Sequence, residues 1–75
     1  LKYISETKEI RIIKQSTFEN QALLLQLITS TGKIIHRQLL YDMVDIVSTS
    51  HLPAGFYLAR ISYQGYSQVS KILIP

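Results

Sequence analysis

Chain-breaking residues recur too often in this sequence for any long helix to form. "SETK", "KQSTFEN", "STGK", "YDM", "STSHLPAG" and "YQGY" fall one after another along it, and each is followed by a short apolar run. Turn signals at this spacing predict an all-β sandwich or barrel, with strands at about 1–4, 8–13, 21–28, 33–39, 44–47, 56–63 and 67–74. The kinds of apolar residue agree. Eleven Ile, ten Leu, three Val and five Tyr stand against three Ala and one Met, a strand-forming rather than a helix-forming set.

Alternation sharpens the assignment, because successive strand side chains point to opposite faces. Leu23, Leu25 and Leu27 share one face, while Ala22, Leu24, Gln26 and Ile28 share the other. Both faces are largely apolar, which suits a central strand. Tyr57, Ala59 and Ile61 oppose Phe56, Leu58 and Arg60; Ile10 and Ile12 oppose Arg11 and Ile13. A helix is the rival reading of "NQALLLQLI", but that run has no clear N-cap and its neighbours alternate. Gly32 in "STGKII" and Gln64-Gly65 in "SYQGYS" supply the positive φ that tight hairpins need. Seven such strands are best buried as two packed sheets, an immunoglobulin-like antiparallel sandwich.

At 75 residues the chain makes one domain, whose folding removes only about 60% of its unfolded surface from water. Without Cys it has neither a disulfide framework nor a thiolate metal site. It starts at Leu1 in mid-pattern, with no apolar leader, and its longest apolar runs are too short to span a bilayer. The chain reads as a segment of a longer host protein. Its net charge of +3 is spread over the sequence, with Glu6, Glu9 and Glu19 among the basic residues. A nucleic-acid binder gathers its positive charge on a face with stacking aromatics, so no nucleic-acid partner is expected. One asymmetry stands out: no acidic side chain follows Asp45.

Catalytic and metal chemistry find little support. Ser50 and His51 are adjacent, so on a strand they point apart, and no G-x-S-x-G turn is present. His36 and His51 lack the spacing of a metal pair, and His36, between Ile35 and Arg37, reads as a solvent-facing strand residue. Three isolated Gly residues do not make a phosphate cradle. No catalytic residue, metal or cofactor is expected.

The most sharply punctuated stretch is "LPAGFYLARI". Pro53 ends the preceding segment, Gly55 lets the backbone turn, and Leu52 and Tyr57 reach inward. The pattern resembles the tyrosine corner of immunoglobulin-like sandwiches, in which a Tyr near a strand start bonds back to the upstream backbone.

Three stretches in order carry a wider resemblance. "ALLLQLITSTGKIIHRQL", "STSHLPAGFYLARI" with Leu52, Pro53, Gly55 and Tyr57 as an L-P-x-G-x-Y signature, and "YQGYSQVSKILIP" resemble the C-terminal sorting domain of the type IX secretion system of Bacteroidetes-type bacteria. The family's usual Tyr-Pro-Asn-Pro opening is missing from "LKYISETKEIRII", Ile28-Thr29 replaces a common Tyr-Asp pair, and Thr49 stands where an apolar residue is usual. The resemblance implies a host protein that crosses the inner membrane by its own N-terminal signal and folds in the periplasm. The domain then delivers it to the outer-membrane translocon and so to the cell surface. A sortase-like peptidase typically removes the domain, and the host is joined to an anionic lipopolysaccharide. The residues implied in sorting and recognition are Pro53, Gly55 and Tyr57 at the corner, with Gly65, Lys71 and Ile72 in the closing hairpin. A fibronectin- or immunoglobulin-like accessory or adhesion domain is the alternative, and a basic nucleic-acid-binding barrel comes third.

Overall fold

Two-residue periodicity builds seven strands in the computed structural model of the chain, which describes residues 2–4, 7–14 and 21–75. They are β1 (Lys2–Ile4), β2 (Glu9–Ile13), β3 (Leu23–Thr29), β4 (Ile34–Leu40), β5 (Val44–Ser48), β6 (Gly55–Tyr63) and β7 (Tyr66–Ile74). Each matches a strand expected from the sequence, and the run "NQALLLQLI" contributes β3 rather than a helix. Of the connections expected at 5–8 and 14–20, residues 5–6 and 15–20 lie outside the described residues.

The strands form two antiparallel sheets, ordered β1-β2-β5 and β4-β3-β6-β7. Their facing sides share one core. Ile10, Ile12 and Val47 come from the three-stranded sheet and meet Leu25, Leu27, Leu40, Tyr57 and Ile72 of the other. This is the sandwich that the alternation calls for. β3 is an interior strand, as its two apolar faces demand. The fourth strand departs from the constant-type immunoglobulin arrangement, in which it joins the sheet of the first two. Here the turn at Gly32 (φ 92°) closes a tight hairpin, with Thr29 N donating to the Lys33 carbonyl at 2.8 Å, so β4 pairs with β3.

One sequence expectation is overturned. His36 does not face solvent freely: it pairs with Leu27, whose side chain is in the core, and is half-buried beside Gln38. The register shifts between Leu27 and Ile28, so that Ile28 pairs with Ile34 and Ile35 is the extra residue of a β-bulge. One inserted residue reverses the phase of simple alternation, and His36 turns to the inner side.

Thr49 explains itself once its partners are seen. It is fully buried, and its backbone N and its hydroxyl both donate to the Lys8 carbonyl at 2.7 Å. Its own carbonyl accepts from Leu52 N at 2.9 Å. A buried polar group that is hydrogen-bonded is tolerated, so a hydroxyl can occupy an apolar position here. The bond ties the end of β5 to the turn that precedes β2. Thr49→Val keeps the volume and loses the hydroxyl donor, and should cost about 1 kcal/mol. Leu25→Ala empties a fully buried site in β3 and should cost about 2–5 kcal/mol. Urea denaturation of both variants checks the magnitudes and their order.

Candidate functional site

Pro53, Gly55 and Tyr57 together turn the chain from the three-stranded sheet into the four-stranded one. Pro53 is exposed and Tyr57 is buried. The Tyr57 hydroxyl donates to the Pro53 carbonyl at 2.6 Å, closing the corner that the spacing suggests. Leu52 packs against the core from the other side of the turn. Gly55 has φ 146°, a region that L side chains rarely adopt, although nothing lies within 4 Å of where its Cβ would be. Backbone conformation, not crowding, requires glycine there.

The β6–β7 hairpin closes through Gln64 (φ 42°) and Gly65 (φ 83°), with Tyr63 paired to Tyr66. Two central residues at positive φ mark a type I′ turn, whose twist matches that of the strands it joins. Along β7, Ile72 and Ile74 enter the core, while Val69, Lys71 and Leu73 point outward. Lys71 leans across to β6 and places its Nζ 4.6 Å from the centroid of the Phe56 ring, within reach of a cation–π contact.

Register brings the corner and the end of β7 together. Gly55 pairs with Ile74, and Tyr57 with Ile72. Lys71 pairs with Leu58 on the outer side of the same ladder. Gly65 lies apart, at the far end of a ladder about 26 Å long. Ile72 is buried, so in the folded domain it supports β7 from within rather than presenting a surface.

Sequence reasoning did not find one feature of this sheet. Arg60 donates from Nε (2.9 Å) and Nη2 (2.6 Å) to the same oxygen, Oε1 of buried Gln26. The two residues are 34 apart in the chain and meet only because β3 pairs with β6. The single polar residue within "LLLQLI" is the signal that could have found it.

The remaining candidates do not assemble a reaction centre. Ser50 and His51 are exposed in a turn. Among the described residues, no three metal-ligating side chains come together. A cleft of about 160 Å³ between the end of β2 and the closing hairpin is lined by Lys14, Leu23, Tyr63 and Tyr66. It is smaller than the roughly 300–1,000 Å³ of typical ligand pockets, and the Lys14 Nζ already donates to the Gln21 carbonyl at 2.8 Å. No helix among the described residues is long and apolar enough to cross a membrane.

Substitutions at the corner separate its components. Tyr57→Phe removes only the hydroxyl bond and should cost about 0.5–1.5 kcal/mol. Tyr57→Ala also removes the buried ring and should cost about 3–5 kcal/mol, enough to prevent folding of so small a domain. Gly55→Val should cost about 1–3 kcal/mol through backbone strain alone. Chemical denaturation followed by circular dichroism measures all three.

The chain has no significant match among curated proteins or among solved structures. The family described as secretion system C-terminal sorting domain matches it over residues 6–75. That span contains the L-P-x-G-x-Y corner, both tight hairpins and all of the four-stranded sheet. The chain therefore belongs to the secretion system C-terminal sorting domain family, the type IX sorting tails that mark proteins for export to the cell surface or beyond.

Proposed function

We propose that this domain is a non-catalytic recognition module, read by the type IX outer-membrane translocon through strand β7 while its host protein is in the periplasm. A sortase-like peptidase then separates it from the host at the surface. The observation that carries this reading is the edge of β7. Folded proteins protect exposed strand edges by shortness, bulges or charge, because an open edge invites pairing. Among the described strands, β1 has three residues, β5 has five, and β4 carries the bulge at Ile35. β7 has nine residues in regular register with β6 and Lys71 as its single charge, and its other side pairs with no described strand. A long regular edge of this kind suits β-augmentation, in which a partner strand adds to the sheet and outward side chains give specificity. Val69, Lys71 and Leu73 are the outward side chains of that strand. Pro53, Gly55 and Tyr57 act by holding β6, Ile72 by seating β7 on the core, and Gly65 by closing the hairpin.

Fusing residues 1–75 to a periplasmic reporter in a type IX-competent strain should carry the reporter to the cell surface, and removing residues 67–75 should trap it in the periplasm. Lys71→Glu is the sharper change, because Lys71 is exposed and its loss leaves the core intact. It should impair export while the urea midpoint shifts by less than about 1 kcal/mol equivalent. A stably folded fusion that is never exported would reject the sorting role and leave an accessory or adhesion domain.

A further inference from the structure

We infer that the outer face of the four-stranded sheet is a second docking surface, for a partner protein that presents carboxylates within an apolar surface. The inference rests on the sorting role proposed above and adds a surface to the β7 edge. Cross-strand register places Arg37 of β4, Gln26 of β3 and Arg60 of β6 in one row across this face. The two arginine Cα atoms are two strand spacings, about 10 Å, apart. Lys71 stands in the next row, on β7.

Among the described residues, no acidic side chain shares the face. The described acids, Glu9, Asp42 and Asp45, lie on the three-stranded sheet or in the connection that leads to it. Arg60 is held against the sheet by its two bonds to Gln26, which leaves three of its five N–H donors for a partner. Apolar side chains flank the row on both sides. Leu39 is 49% exposed, Phe56 51% and Leu73 56%. Four strands by about seven residues give a patch of about 400 Å². That is about half of one partner's share of a standard protein interface. The β7 edge beside it supplies further contact.

The charge pattern decides what fits. A second copy related by a two-fold axis would set the same cations against one another. A lipid surface is served best by cations at the rim of an apolar patch, where they reach the headgroups. Here Arg37 and Lys71 stand on the two edge strands, but Arg60 lies on an interior strand, within the apolar face, and its two bonds to Gln26 fix its direction. Oriented donors among apolar side chains match fixed carboxylates on a folded protein, where bidentate pairing adds specificity.

Arg37 provides the test. It is exposed, has no hydrogen bond or ion pair among the described residues, and lies on the opposite edge of the sheet from β7. In the reporter fusion, Arg37→Glu should lower surface delivery about tenfold, whereas Arg37→Lys should retain most of it. Leu39→Ser should lower delivery too, and unchanged urea midpoints would show that all three variants fold. Delivery of Arg37→Glu and Leu39→Ser at the wild-type level, while Lys71→Glu is impaired, would overturn the docking face and leave the β7 edge standing. If the wild-type fusion is not delivered, both readings fall together. Sedimentation of residues 1–75 with phosphatidylglycerol–phosphatidylcholine vesicles at physiological salt, abolished by Arg37→Glu, would assign the face to lipid and overturn the protein partner.

Discussion

The Tyr57 side chain, its ring buried in the core and its hydroxyl donating to the Pro53 carbonyl, closes the corner that joins the two sheets. The chain leaves the three-stranded sheet at Ser48 and starts the four-stranded one at Gly55, so residues 49–54 must reverse its course and change layers. Thr49 fastens the near end of that segment to the Lys8 carbonyl, and the Tyr57 ring fastens the far end in the core. β6 emerges from this corner with a fixed direction and register. It pairs with β3 on one side and β7 on the other, so two of the three ladders in the larger sheet depend on where the corner delivers it. A domain of this size has little stability in reserve, and the ring and its bond matter correspondingly more.

The four-stranded sheet is apolar on both sides, and the two sides do different things. Its inner face completes the core with Leu25, Leu27, Ala59 and Ile72. Its outer face leaves Phe56, Leu58 and Leu73 in contact with water, a cost that an isolated domain gains nothing by bearing. Lys71 partly covers the Phe56 ring, and the row of Arg37 and Arg60 keeps the face charged. The edge of β7 that no described strand pairs points along the sheet, while the apolar and basic face points away from it. A partner that pairs with the edge is thereby brought beside the face. Edge and face are presented by the same two strands, β6 and β7, which the corner holds in register.

Much of this was legible in the residues because the forces involved are local. The spacing of turn residues located the described strands, and period-two alternation assigned faces to β2, β3 and β6, since both depend only on neighbouring residues. Gly32 and Gln64-Gly65 announced their hairpins because positive φ is a property of one or two residues. The corner was visible because Pro53, Gly55 and Tyr57 lie within one turn of chain, and the order of these local signals was enough to suggest the family.

Pairing across the chain was not legible. His36 was misplaced because a bulge at Ile35, set by the partner strand, reversed the alternation locally. Gln26 and Arg60 share nothing in sequence, and their contact exists only because β6 was delivered beside β3. Thr49 reads as a polar departure until the Lys8 carbonyl, 41 residues away, is seen to accept its hydroxyl. The residues by themselves determined the strands, the turns and the corner, because each is decided by a few neighbouring side chains and backbone angles. Tertiary structure alone decided which sheet receives β4, which edge stays open and which cations share a face, because strand order and register depend on contacts between distant segments.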